Sequence, residues 1–294
     1  MLEGRIVKAL SGFYNVKTAD GNIYECRGRG VFRKRKITPL VGDFVKFKID
    51  SQNKGYIKEI ELRKNELSRP PVANIDQAII VSSAAEPSFS QLLLDRFLIA
   101  VEANRIEPII LISKIDLIDE TELNKLLNVK KTYEKIGYPT LFVSIKQPDT
   151  IEKVRPFLRH KISVIAGQSG VGKSSILNSL DKSLQIATGE ISKSLGRGRH
   201  TTRHVELLHV SDGLVADTPG FSSLEFTELE VEELGHCFPE IRKVSKNCRF
   251  RGCLHDQEPH CAVKEAVENN EICNRRYEHY IKILEEIKSR KPRY

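Results

Sequence analysis

KISVIAGQSGVGKSSILNSL, residues 161–180, holds the pattern that decides the fold. Residues 161–167 form an apolar run of the kind found in a buried strand, and SSILNSL opens a helix. Between them Gly167, Gln168, Ser169, Gly170, Val171, Gly172, Lys173 and Ser174 match G-x-x-x-x-G-K-[ST] in full. A strand, a glycine loop and a helix let backbone N–H groups and the helix N-terminus wrap a phosphate chain. Lys173 is then placed to reach the outer phosphates as a catalytic cation. The Ser174 hydroxyl is suited to ligate Mg²⁺, with Ser175 completing the phosphate contacts.

Upstream the chain alternates strands and helices. QAIIVSS, EPIILIS and TLFVS are strand candidates. FSQLLLDRFLIAVEAN carries Leu93, Phe97 and Val101 on one helical side, and TELNKLLNVKKTYEKIG ends at Gly137. This rhythm predicts an α/β domain with a mostly parallel sheet. Downstream, HVELLHV and GLVADTPG predict an antiparallel pair ending in Asp217-Thr218-Pro219-Gly220. Asp217 at a strand end can approach Mg²⁺, and Gly220 can offer a backbone N–H to a γ-phosphate. Between loop and pair, Gly196-Arg197-Gly198-Arg199-His200-Thr201-Thr202-Arg203 has the glycines, hydroxyls and charges of a switch segment. Thr201 or Thr202 would complete the Mg²⁺ shell, with Thr202 preferred.

Base recognition is expected from Ser113-Lys114-Ile115-Asp116, directly after the strand IILIS. A carboxylate such as Asp116 accepts two N–H bonds from a guanine edge, while the Lys114 stem packs along the ring. Adenine would leave that carboxylate unsatisfied. Ser144, at the end of the next strand, is expected to supply a backbone contact to the guanine carbonyl. All of these sit at C-terminal strand ends, where ligands bind in open α/β sheets. The base motif precedes the phosphate loop by about 50 residues, a rotation of the usual GTPase order that a parallel sheet tolerates.

The flanks differ in charge. Residues 1–69 hold 16 Lys/Arg against 8 Asp/Glu, so the whole net charge of +8 lies in this stretch, densest in RGRGVFRKRK. A polyanionic partner follows, most simply nucleic acid. Five short strands, EGRIVKAL, FYNVKTA, NIYECR, VGDFVKFKI and GYIKEIEL, predict a small barrel over residues 1–68, OB-like first and SH3-like as the alternative. Arg69-Pro70-Pro71 is expected to be a linker into the domain at 72–230. The remainder, 231–294, is helical, and from Glu268 to Arg290 it places Ile272, Tyr280, Ile281, Leu284 and Ile287 at helical spacing as a packing stripe. Here Cys248-x₄-Cys253-x-His255-x₅-Cys261 supplies three thiolates and an imidazole, a set suited to tetrahedral Zn²⁺ in a structural site. Cys237 and Cys273 fit no ligand pattern and are expected to pack as small apolar residues. MLEGRIVKAL lacks a signal-peptide core and no apolar run approaches bilayer length, so a cytoplasmic protein without membrane insertion is expected.

Taken together, these motifs resemble the ribosome small subunit-dependent GTPase A family over essentially the whole chain. The shared motifs are G-x-x-x-x-G-K-S at 167–174, G-R-G-R-H-T-T-R at 196–203 and D-T-P-G at 217–220. Ser113 departs from the usual N-K-x-D by replacing Asn, and a serine offers fewer bonds to the phosphate-loop backbone. The resemblance implies a circularly permuted GTPase domain between an N-terminal OB-like barrel and a C-terminal zinc-binding domain. It implies GTP hydrolysis to GDP stimulated by the small ribosomal subunit and its rRNA, a role in late subunit maturation, and a zinc site with the spacing above. Nothing in the sequence calls for an oligomer, and a monomer is expected.

Phe221 follows the Asp-x-x-Gly segment and cannot orient water, so slow hydrolysis in isolation is expected. His200 is the internal candidate to hold the attacking water, and the family resemblance points to the same residue. Residues 221–233 run from this switch straight into the cysteine-bearing region, so a shift at the γ-phosphate could reposition it. Two other readings stay open from sequence: a GTPase acting on the large subunit or tRNA, and a zinc-containing RNA-binding module with a structural nucleotide site.

Overall fold

The computed structural model describes residues 1–28, 32, 37–50, 54–68, 70–186, 205–217 and 229–290. The N-terminal strands β1 (Leu2–Leu10), β2 (Phe13–Lys17), β3 (Ile23–Gly28), β4 (Phe44–Ile49) and β5 (Gly55–Ile60) alternate inward and outward side chains. Ile6, Tyr14, Val16, Cys26, Val45, Phe47 and Ile57 point inward and are buried. Pairing runs β1–β2–β3–β5–β4 and returns from β4 to β1, which closes the barrel. Only β3–β5 is parallel. Closure removes the free edges that such short strands would otherwise expose.

After the barrel the expected linker is instead a ribbon. Strands β6 (Glu66–Ser68) and β7 (Pro71–Ala73) pair antiparallel, with Leu67 opposite Val72. Val72 is fully buried and bridges Val41, so local packing overrides the extended bias that the prolines impose.

The central domain carries β8 (Gln77–Ser83), α1 (Gln91–Ala103), β9 (Glu107–Ser113), α2 (Glu120–Ile136), β10 (Thr140–Val143), the short helices α3 (Pro148–Glu152) and α4 (Arg155–Leu158), β11 (Ile162–Ala166), α5 (Lys173–Leu180), β12 (Val205–Val210) and β13 (Gly213–Asp217). The sheet order is β10–β9–β8–β11–β13–β12, parallel except for β12. Both faces are covered, which is why its strands lack a polar side. Ala78, Ile80, Ile110 and Ile112 pack on one face with Leu94, Phe97 and Leu98 of α1. Their neighbours Ile79, Val81, Ile109 and Leu111 pack on the other with Ile176 and Leu177 of α5. Helix α2 is bounded as its sequence predicts: Asp119 accepts from the Glu122 N–H, and Gly137 closes it with φ +114°.

The barrel and this domain share one sheet. Strand β1 pairs with β12 through Lys8 opposite Glu206 and Ala9 opposite Val205, and the Lys8 ammonium meets Glu206 at 2.9 Å. Beyond it, a 3₁₀ turn at Val231–Cys237 leads to α6 (Pro239–Val244), α7 (Ala262–Glu268) and α8 (Asn274–Lys288). The long helix expected from Glu268 is therefore interrupted. Asn270 adopts φ +60°, and the Ala266 carbonyl accepts the N–H groups of both Glu271 and Ile272. A left-handed Asn ends α7 at this point. Leu234, Phe238, Ile241, Val263, Ile272, Tyr280, Ile283 and Leu284 form the core here, and α1 contributes Ile99 to it.

That interface also buries charge. Asp95 of α1, fully inaccessible, accepts from Tyr133 Oη at 2.6 Å and from Arg276 Nη1, and it pairs with His279 Nδ1. Arg276 is buried as well, and its guanidinium grips both oxygens of Glu240 at 2.8 and 3.2 Å. Each charge has hydrogen-bonded partners, the condition under which burial is tolerated. No described helix is long and apolar enough to cross a membrane.

Candidate functional site

The C-terminal ends of β9, β10, β11 and β13 point to one edge of the sheet because all four run parallel. At the centre of that edge the chain leaves β11 into the glycine loop. Gly167 has φ +140°, and a Cβ there would stand 2.2 Å from the Val81 carbonyl oxygen, so only glycine fits. Gly172, also left-handed, starts α5, and its carbonyl accepts the Ile176 N–H at 2.9 Å. Gln168, Ser169 and Gly170 are exposed on the loop, while Val171 is buried beneath it. Ser174 and Ser175 are half-buried in the first turn of α5. Lys173 curls back over the loop, its ammonium donating to the carbonyls of Gly167 (2.7 Å) and Gln168 (2.9 Å). Burial pulls its pKa below the usual lysine value.

The base motif lies on the same edge, two strands away. Ser113 ends β9, is buried, and donates its hydroxyl to the Val171 carbonyl at 2.6 Å, with Ser82 O a longer contact at 3.3 Å. The hydroxyl that replaces the expected amide therefore reaches the phosphate loop after all. It offers one donor where an asparagine offers two. Lys114 turns out of the strand with φ +60°, and its ammonium donates to the Glu86 carbonyl, which also accepts from Ser83 Oγ at 3.0 Å. Asp116 follows in a short 3₁₀ turn, Ile115–Leu117. Its carboxylate accepts from Ser144 Oγ at 2.5 Å and lies 3.3 Å from the Lys146 ammonium. The Ser144 bond first, with Lys146 adding to it, holds Asp116 below the usual carboxylate range.

Ser144 is tied to the site in two ways. Its N–H donates to Thr150 Oγ1 at 2.9 Å, and its hydroxyl donates to Asp116. Lys146 was missed in the sequence, as was the Glu86 carbonyl. The signal for Lys146 is its place two residues past Ser144, which becomes meaningful only once both residues face Asp116. A backbone carbonyl leaves no mark in the residue types at all.

Strand β13 runs beside β11, with Ala216 opposite Val164, so the backbone of Asp217 ends next to the strand that feeds the phosphate loop. His200, Thr201, Thr202 and Gly220 lie outside the described residues.

A second cluster forms in the C-terminal region. Cys248, Cys253, His255 and Cys261 bring one ligand atom each to within 4.8 Å of one another. Cys248 Sγ is 3.6 Å from His255 Nδ1, Cys261 Sγ is 3.4 Å from the same nitrogen, and the two sulfurs are 3.9 Å apart. Ligands about 2.3 Å from a central ion at tetrahedral angles stand about 3.8 Å apart, so the donor set fits a four-coordinate metal. No cysteine is in a disulfide. His255 is buried, which pulls its pKa down and favours the neutral imidazole that ligates metals. Helix α8 braces the turn, with Tyr277 Oη on the His255 carbonyl and Tyr280 Oη on the Leu254 carbonyl, both at 2.7 Å. His260 is exposed and outside the cluster. Cys237 is buried as expected of an apolar residue, whereas Cys273 is only half-buried, at the start of α8.

Residues 60–227 match the model of the RsgA GTPase domain and residues 3–57 that of the RsgA N-terminal domain. The chain is 60% identical over 294 residues to the small ribosomal subunit biogenesis GTPase RsgA 2 of Oceanobacillus iheyensis, and 56% identical over 298 residues to RsgA of Bacillus subtilis, each match covering both chains in full. Its fold is similar to the crystal structure of YloQ, a circularly permuted GTPase (TM-score 0.85, 52% identity, 100% of this chain and 97% of that one). It is equally similar to YjeQ from Thermotoga maritima (TM-score 0.86, 38% identity, 99% of both). Sheet topology, motif order and these likenesses agree: the chain belongs to the RsgA GTPase family, with the circularly permuted GTPase fold.

Proposed function

We propose that this protein hydrolyses GTP to GDP and phosphate under stimulation by the small ribosomal subunit, as a late factor in that subunit's assembly. The observation that carries the reading is the 2.6 Å bond from Ser113 to the Val171 carbonyl. It ties a base-reading motif to a phosphate loop about 50 residues later in the chain, as one guanine nucleotide spanning both requires. Asp116 accepts the base N–H groups, with Ser144 and Lys146 holding it ionised and aligned. The loop from Gly167 to Ser175 cradles the phosphates, and Lys173 swings from its own loop carbonyls to the outer phosphates. Ser174, Thr202 and Asp217 would hold Mg²⁺, which would supply charge neutralisation at the phosphates. His200 positions the attacking water.

Zn²⁺ on Cys248, Cys253, His255 and Cys261 is structural, since the four protein ligands fill a tetrahedral shell. We assign residues 1–68 to an RNA-binding barrel, 72–230 to the GTPase domain and 231–294 to the zinc-binding domain of a cytoplasmic monomer. The basic N-terminal stretch supports an rRNA partner. The names of the relatives above support the small subunit in particular.

The test is turnover of GTP and ATP by the purified protein, alone and with each ribosomal subunit or tRNA. Slow GTP hydrolysis alone, accelerated by the small subunit only, is expected. Acceleration by the large subunit or tRNA redirects the reading, and absence of turnover overturns it. His200→Ala is expected to keep GTP binding while losing the stimulated rate; an unchanged stimulated rate removes His200 from the mechanism.

A further inference from the structure

The turn between Cys248 and Cys253 presents Phe250 to solvent. Phe250 is 45% exposed, and the only other exposed phenylalanine among the described residues, Phe44, has the Arg5 guanidinium over its ring at 4.2 Å. A half-exposed ring is ordinary by itself; what singles this one out is that three exposed cations lie beside it in the chain. The charges around it narrow the choice. Lys246, Arg249 and Arg251 are exposed and have no ion pair among the described residues. The nearby acids are already engaged: Asp256 pairs with Lys288 at 2.9 Å, and Glu258 accepts the N–H groups of Leu254 and Asp256. The Arg249 guanidinium lies over one face of the Phe250 ring at 5.7 Å from its centre, farther off than Arg5 stands from Phe44, and the residue remains exposed.

We propose that this turn is a stacking platform for an unpaired RNA base, with Phe250 as the ring and Lys246, Arg249 and Arg251 as the phosphate contacts. An apolar π-face on a turn with exposed cations close by in the chain matches a splayed nucleotide, which offers a flat base and an adjoining phosphate. Duplex RNA hides its base faces and would engage only the cations. A protein partner would have to supply an aromatic or apolar group and three carboxylates at this spacing. Anchoring at Cys248 and Cys253 limits the loss of freedom on binding, because the turn is fixed at both ends before RNA arrives. Only the identity of the RNA, that of the small subunit, rests on the function proposed above.

The chain contains no tryptophan. Phe250→Trp in the full-length, zinc-loaded protein therefore adds a single reporter at the platform. Its emission is expected to be quenched by a single-stranded RNA oligonucleotide and by the small subunit, and unaffected by a perfect duplex. Phe250→Ala is expected to weaken single-strand binding roughly five- to a hundred-fold, the range for losing one stacked base. Phe250→Leu should not rescue it, and zinc content and GDP affinity should stay at the parent values in all three variants. Unchanged emission with the single strand bound, equal quenching by duplex, or full binding by Phe250→Leu each overturns the platform. Quenching by single strands in a protein that ignores the small subunit upholds the platform while the subunit reading fails. Stimulated turnover on the subunit with unchanged emission removes the platform alone.

Discussion

The nucleotide edge and the cysteine cluster are both assembled sites, but they are held together by opposite means. At the nucleotide edge, Ser113 and Val171 are brought to 2.6 Å by a sheet whose strands are buried on both faces, so apolar packing sets the geometry and one neutral hydrogen bond trims it. In the cluster, four ligands from within 14 residues converge on a turn braced by two tyrosine hydroxyls. A local turn with little apolar content needs an ion to hold it, whereas a distant pair on a two-sided core does not. The two regions meet at α1, where Asp95, Arg276 and His279 bury charge beside the apolar contacts of Ile99.

Removing the metal should separate the two regions most sharply. Chelation, or Cys253→Ser, is expected to unfold residues 231–290, forfeiting a metal contribution on the order of 10 kcal/mol. Affinity for a fluorescent guanine nucleotide should change by less than about threefold, or about 0.7 kcal/mol. Hydrogen exchange of α8 against β8 reads the difference; loss of protection in both together would make the regions one cooperative unit. Next in size, Asp95→Ala leaves Arg276 buried with only Glu240, and a loss of about 3–5 kcal/mol in urea unfolding is expected. A loss under 1 kcal/mol would mean that the apolar contacts around Ile99 carry the junction.

At the nucleotide edge the effects are smaller and more specific. Asp116→Ala should weaken GTP binding about a hundredfold, the scale of two charge-assisted bonds, while leaving any weak ATP binding unchanged in competition titrations. Ser113→Ala removes the donor to Val171 O, and a loss of about 1 kcal/mol, near fivefold in GDP affinity, should follow; Ser113→Asn tests whether a second donor tightens the loop. The smallest effect is a pH displacement. Asp116 is held below the usual carboxylate range chiefly by Ser144, so it must be ionised to receive the base, and affinity falls only as pH drops through that lowered value. Ser144→Ala raises the Asp116 pKa, and the acid limb of GDP binding should move to higher pH. An unmoved limb would assign the shift to another group.

Much of this could be read along the chain. The phosphate loop, the strand that feeds it, the Asp119 and Gly137 ends of α2 and the ligand spacing of the cysteines are local patterns. Each is set by backbone geometry or donor chemistry within a few residues. The ribbon at Leu67 and Val72 was hidden because two prolines carry a strong local bias toward a linker, and only contact with Val41 reverses it. Asp95 gave no sign of its role, since one acid in LLLDRFL has the same local signature whether it faces water or a buried guanidinium.

The residue order alone determined the barrel, the parallel sheet, the rotated order of the GTP motifs and the four zinc-type ligands, because each depends on periodicity or short spacing. Tertiary structure decided which distant groups meet: β1 against β12, the Ser113 hydroxyl against the phosphate loop, Lys146 against Asp116, and α8 against Asp95. Those contacts depend on how whole faces pack, and burial, which selects them, is a property of the assembled fold rather than of any one segment.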